Sequence, residues 1–373
     1  MKARTISALY IVIAMAAASV LMTGCASPHK EFAYVVGQGT NEVFQFSAKS
    51  NGTLAPLGTP NFPAGSDSVA LAVHTSGDFL YVADFAGNDV TQLVINKGNG
   101  ELSVPVTTSV VSPVNPINIF SVGTNPIAVA MSPTAPFLYV ANQGSSNISA
   151  FTVDPGSGSL NAIGTFAITP GSNPSAMAIS PKGDFLFVAN STQATVAAFA
   201  IGSDGKLAAV AGSPFSVGAG ATPNSITVEH TGRFLYVTDP AHNAVLGFTI
   251  QSGALAPISG SPFAAGTQPT AVAVDPQGVF LYAANIGSNN VSAYGIDANS
   301  GALGPVKGSP FVTGGAAPSA LVVNSNTSVL YVTDQATHDV AALGILADGS
   351  LQPVKGSPFG VAAGGVAITL AKE

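Results

Sequence analysis

The 373-residue sequence predicts an all-β fold, a seven-bladed β-propeller of four-stranded antiparallel blades, on three observations. First, 8% of the residues are charged, against roughly 25% in an ordinary soluble domain, while 47% are hydrophobic and Gly and Pro number 41 and 26. That composition means frequent turns and a large buried fraction, and beyond the N-terminus few stretches free of Gly and Pro are long enough for helices. Second, one strand motif recurs seven times at intervals of about fifty residues. Third, the repeat array begins without its first strand and ends with an unpartnered one, so the last strand completes the first blade.

Within a unit the innermost strand comes first. Runs such as Thr270 to Val274 are introduced by Pro126, Pro174, Pro223, Pro269 or Pro318, at the strand start where Pro is tolerated. They close on Ser180-Pro181-Lys182-Gly183 or Asp275-Pro276-Gln277-Gly278, the side-chain acceptor, Pro and Gly pattern of a type I turn. The second strand is Phe79-Leu80-Tyr81-Val82-Ala83-Asp84 and its six equivalents, whose third residue is Tyr34, Tyr81, Tyr139, Phe187, Tyr236, Tyr282 or Tyr331. Nine places later, in every copy, Val43, Val90, Ile148, Val196, Val245, Val291 or Val340 opens the third strand. Gly-x-Leu then recurs from Gly52/Leu54 to Gly349/Leu351, and an extended outer stretch ends the unit, written Gly-Ser-Pro-Phe in four copies. One interval is longer and holds an insertion, Val104 to Phe120, expected to extend an outer strand or loop. The strand Gly365 to Leu370 has no following partner and closes the ring. Closure leaves no sheet edge along the ring, and a single closed chain is expected to be a monomer.

The N-terminus is an address rather than part of the ring. Lys2 and Arg4 precede an uncharged apolar run from Ile6 to Gly24, the layout of a secretory signal, and the run is also just long enough to serve as an uncleaved anchor. The segment Leu21-Met22-Thr23-Gly24-Cys25 resembles a bacterial lipobox, departing from it at Met22. The resemblance implies that residues 1–24 are a lipoprotein signal, that Cys25 is lipidated, that 25–31 form a tether before a propeller of residues 32–373, and, with Ala26 after the Cys, that the protein sits in the cell envelope at the outer membrane. The membrane is then touched through the lipid alone. A net charge of −7 gives phosphate neutralisation little to work with, so no nucleic-acid partner is expected. A single Cys excludes an internal disulfide or a thiolate zinc site.

Loops between second and third strands share one face with the loops that lead into each innermost strand. Together they contain no Lys and no Arg, but they hold Glu42, Asp67, Asp84, Asp89, Asp239, Asp334, Asp339, His242 and His338. Lys49, Lys97, Lys182, Lys206 and Arg233 fall in the opposite loops, with Lys307 and Lys355 expected on outer strands. Asn142, Asn147, Asn190, Asn243, Asn285, Asn289 and Asn290 make the first face amide-rich. Such amides can bond sugar hydroxyls, and the carboxylates can hold a divalent cation; equally, Asn and Asp make turns by bonding their own backbone. Asp239/His242 and Asp334/His338 each put a carboxylate and a His inside one short loop, the pairing a general base or metal site needs. No zinc, Walker or EF-hand spacing calls for a metal or another cofactor.

The recurring Tyr-Val-Ala/Thr-Asn/Asp segments, the sevenfold count and the Gly-x-Leu resemble the bacterial lactonase-type propellers, a family that includes 6-phosphogluconolactonase and muconate-lactonising proteins and surface proteins named for a Tyr-Val-Thr-Asn repeat. The resemblance runs from Phe32 to Leu370 and implies, where members are enzymes, that charged and His residues at the tunnel mouth handle a lactone. Departures are visible. The residue after each strand-leading Pro, where the resemblance would place His, is Ile127, Ser175, Asn224, Thr270 or Ser319. A phosphorylated or carboxylated lactone needs cationic donors, and this face has none. The expectation is therefore a lipid-anchored binding or interaction module for a neutral or cationic small molecule, a glycan or a protein. The alternatives are a hydrolase of an uncharged lactone, with Asp239, His242, Asp334 or His338 as its base, and a scaffold used only for assembly.

Overall fold

A computed structural model describes residues 30–37, 39–105, 118–169, 171–326 and 328–373. The signal, Cys25 and most of the insertion lie outside the described residues. The described chain is all β, in seven antiparallel sheets. Blade 1 takes Glu31–Gly37, Glu42–Ala48 and Leu54–Pro63 from the start of the ring and Gly365–Lys372 from its end, so the last strand closes the first sheet as the sequence predicts. The ring begins at Glu31, one residue before the expected boundary. Blades 2 to 7 follow as meanders, their second strands being Phe79–Asp84, Phe137–Asn142, Phe185–Asn190, Phe234–Asp239, Phe280–Asn285 and Val329–Asp334. The seven innermost strands contact one another in a continuous ring, from Ser68–Val73 round to Gly365–Lys372.

The core is divided. Seven apolar clusters each join residues of two neighbouring blades, such as Tyr34 and Val36 of blade 1 with Leu80 and Val82 of blade 2. Both faces of every sheet are covered by the next, which is why second strands read as unbroken apolar runs and why so few residues are charged.

Two motifs prove to be seams between blades. The hydroxyl of Tyr34 donates to the carbonyl of Gly100, Tyr81 to Gly158, Tyr139 to Gly205, Tyr236 to Gly301 and Tyr282 to Gly349, at 2.7–3.2 Å. Each glycine belongs to the Gly-x-Leu of the following blade. These tyrosines are buried, and burial raises the ionisation of Tyr34 well above the ordinary phenol. The glycines have positive φ, and a Cβ at Gly100 would overlap the Phe32 ring of the preceding blade. Only Gly meets both demands.

Gly-Ser-Pro-Phe is not a plain outer strand. In blades 4 to 7 the outer strand breaks into two short pieces across a cis Ser–Pro bond, both pairing with the third strand. At the break Ser213, Ser261, Ser309 and Ser357 accept, through Oγ, the N–H groups of Ala198, Gly247, Ala293 and Ala342 at 2.9–3.0 Å. The serine fills the place of a missing strand carbonyl. Lys307 and Lys355 sit in the turns at these breaks rather than on strands. Downstream of the insertion, Asn118–Ser121 pairs with the third strand of blade 2, so the described part of that segment does extend an outer strand.

Candidate functional site

The face without Lys or Arg is built from one repeated corner. The second strand ends and the third begins on residues directly opposite each other: Asp84/Asp89, Asn142/Asn147, Asn190/Thr195, Asp239/Ala244, Asn285/Asn290 and Asp334/Asp339. Asp84, Asn142, Asn190, Asn285 and Asp334 are fully buried, so a role for them in touching a ligand is corrected: they close the corner from inside. Asn142 Nδ2 donates to Asn147 Oδ1 and Ser149 Oγ, Asn285 Nδ2 to Asn290 Oδ1 and Ser292 Oγ, and Asn190 Nδ2 to Thr195 Oγ1. The crossing loop packs directly above. A Cβ at Gly65, Gly123, Gly266 or Gly315 would overlap Asp84, Asn142, Asn285 or Asp334 respectively. These glycines stand three places before the innermost strand, a regularity legible in the sequence only once the corner is known.

The residue before the third strand is left-handed in all seven blades: Asn41, Asn88, Ser146, Ala194, Asn243, Asn289 and His338. Asn243 Oδ1 accepts the Gln268 N–H at 2.8 Å, and Asn41, Asn88 and Asn289 bind their crossing loops in the same way. Asn243 is thus an inter-blade pin. His338 holds this left-handed position and is exposed; among the described residues nothing pairs it with Asp334, which accepts from Thr313 Oγ1 at 2.9 Å. The expected Asp334/His338 pair does not form, because a residue four places on has already turned out of the corner. Glu42 opens the third strand of blade 1 opposite Pro63, half-buried, as are Asp89 and Asp339.

Three places after the second strand the geometry differs. There Ser145, Ser288 and Thr337 accept the N–H groups of Thr124, Thr267 and Ala316 and fasten the crossing loops. Blade 5 has His242 instead. Its Nδ1 lies 2.6 Å from Asp239 Oδ2, and Thr222 N–H donates to Asp239 Oδ1 at 3.0 Å. Asp239 is 1% exposed and the His242 side chain 52%. A buried carboxylate held at both oxygens fixes an imidazole whose other nitrogen is left for chemistry. Gly220 lies beside the ring, where a Cβ would stand 3.8 Å from Nε2.

Charges on the opposite face are largely spoken for. Lys97 pairs with Asp78 and Lys206 with Asp204, while the Arg233 guanidinium binds Thr231 Oγ1 and the Ala298 carbonyl and stacks over Phe234. Four of the positions after the strand-leading prolines, where the family resemblance would place His, bond the next blade instead. Ser175 donates to the Pro223 carbonyl, Asn224 to Thr270, Thr270 to Pro318 and Ser319 to Gly365. Among the described residues no three His, Cys, Asp or Glu gather as metal ligands, and no helix is long and apolar enough to cross a membrane.

Comparison with known proteins agrees with this architecture. No curated protein matches the sequence. Solved structures do: a candidate 6-phosphogluconolactonase from Bacteroides fragilis superposes with a TM-score of 0.79 at 19% identity, covering 93% of this chain and 99% of that one. The periplasmic gluconolactonase of Pseudomonas aeruginosa gives 0.76 at 17%, covering 91% and 99%. At these identities the likeness establishes the fold. The family model described as lactonase, 7-bladed beta-propeller, matches residues 24–222 and 216–312, and the chain accordingly belongs to that family.

Proposed function

We propose that the protein is a hydrolase of an uncharged lactone, with His242 as general base and Asp239 as the residue that positions it. The observation that carries this reading is the His242–Asp239 contact in the one corner where a ring nitrogen replaces a loop-fastening hydroxyl. A carboxylate cannot donate, so Nδ1 carries the hydrogen and Nε2 of the neutral ring is the lone-pair nitrogen. Nε2 takes a proton from water as it adds to the lactone carbonyl; the imidazolium then returns the proton to the ring oxygen as the C–O bond breaks, giving a hydroxy acid. The lack of Lys and Arg on this face disfavours phosphorylated lactones. Family membership supports this reading over the binding-module one.

The test is hydrolysis of glucono-1,5-lactone and of its 6-phosphate, followed by pH-stat. Turnover of the neutral lactone is expected to exceed that of the phosphate, and to fall roughly 10²–10⁴-fold in His242→Ala and in Asp239→Asn. Unchanged turnover in His242→Ala, or none with any uncharged lactone, would overturn the assignment and return the face to ligand recognition.

The same chain is proposed to be anchored through Cys25, on the support of Lys2, Arg4 and the Leu21 to Cys25 segment. Incorporation of labelled palmitate, lost in Cys25→Ala, is the expected result.

A further inference from the structure

Blades 2 and 7 differ from blades 3 and 6 at one contact. In blades 3 and 6 the amide of Asn142 or Asn285 donates to the Oδ1 of Asn147 or Asn290 at 2.8 and 2.9 Å. Blades 2 and 7 set Asp84 opposite Asp89 and Asp334 opposite Asp339 in the same register, so two carboxyls stand where blades 3 and 6 place two amides. Two carboxylates have no hydrogen to give, so the bond that the amides of blades 3 and 6 make could form here only with a proton on one carboxyl. Asp84 and Asp334 are 0% exposed.

Their surroundings supply no charge to replace that proton. Asp84 accepts from Ser68 Oγ at 2.5 Å and Thr91 Oγ1 at 2.7 Å, and Asp334 Oδ1 from Thr313 Oγ1. The buried Asp334 Oδ2, Asp89 Oδ1 and Asp339 Oδ1 have no hydrogen-bond partner among the described residues. Crossing loops, innermost strands and third strands around both pairs carry no Lys or Arg. The titratable groups on these elements and their neighbours are Asp67 on the crossing loop of blade 2, Glu42 on blade 1 and His338 beside Asp339, and among the described residues none of them bonds a carboxyl of either pair.

We propose that Asp84–Asp89 and Asp334–Asp339 each share a single proton in mild acid, in place of the amide hydrogen of blades 3 and 6, and that its loss on the approach to neutral pH loosens the two corners flanking blade 1. Burial pushes both Asp84 and Asp334 up to about 7, with Asp89 and Asp339 adding to it. A folded-state carboxyl that holds its proton more tightly than the unfolded chain gives a stability that is greatest in acid. That stability declines as pH rises from the ordinary carboxyl range to about 7, and is flat beyond. This device stands whether or not the protein is a lactonase.

Asp84→Asn and Asp334→Asn install what blades 3 and 6 already carry. We expect the wild-type Tm to fall between pH 5 and pH 8, and the double variant to recover roughly 2–4 °C of that fall. The infrared band of a protonated carboxyl should be present in the wild type at pH 6 and reduced in each single variant. An identical Tm fall and an unchanged band in the double variant would overturn the proposal. A change confined to one single variant would support that pair and refute the other.

Discussion

Blades 4 to 7 and blades 1 to 3 solve the same packing problem with different parts. In the later half, outer strands break at Gly-Ser-Pro-Phe, a serine hydroxyl restores the lost acceptor, and hydroxyl or amide side chains tie each innermost strand to the next. Blades 1 and 3 instead run one long outer strand, Leu54–Pro63 and Leu160–Ala167, and the positions that tie the inner ring elsewhere are Val366, Val69 and Ile127. What both halves keep is the glycine seam. The contrast separates what a propeller requires, close approach of neighbouring sheets, from what it can replace, the means of finishing an outer edge.

The seam should therefore give the largest effects. Gly349→Ala adds a Cβ that overlaps Phe280 at a positive φ, and we expect about 3–5 kcal/mol of lost stability in urea unfolding. Gly52→Ala, where blade 7 meets blade 1, meets only Val329 and Val354 side chains at 2.9 and 3.0 Å, and should cost about half as much. Equal losses would erase the distinction between the closing seam and the rest. Next comes the outer edge: Ser357→Ala strands the N–H of buried Ala342 and should cost about 1–2 kcal/mol, a cost with no counterpart in blades 1 and 3. The smallest effect is a gain. Phe187 stands where five other blades use a tyrosine hydroxyl to bond the next Gly-x-Leu, so Phe187→Tyr should reach the Gly253 carbonyl and add about 1 kcal/mol; a loss would mean that seam is already too tight.

At the functional face the same division between repeat and exception applies. Asn142, Asn190 and Asn285 look like ligand contacts in the sequence because they are polar and lie at loop ends, yet they are buried braces. His242 and His338 look equivalent, each following an Asp within a loop. One residue of spacing separates them: the third place after the strand points back to the carboxylate, the fourth is left-handed and points out.

The sequence alone settles blade count, strand order and ring closure, since alternation, turn chemistry and repeat length are set by neighbours in the chain. Why Gly-x-Leu recurs, and which Asp meets which His, was decided by contacts between blades or across a folded corner. The Tyr81 hydroxyl reaches the carbonyl of Gly158, 77 residues away. No local pattern encodes such a distance; it becomes a contact only when the ring closes and presses one sheet against the next.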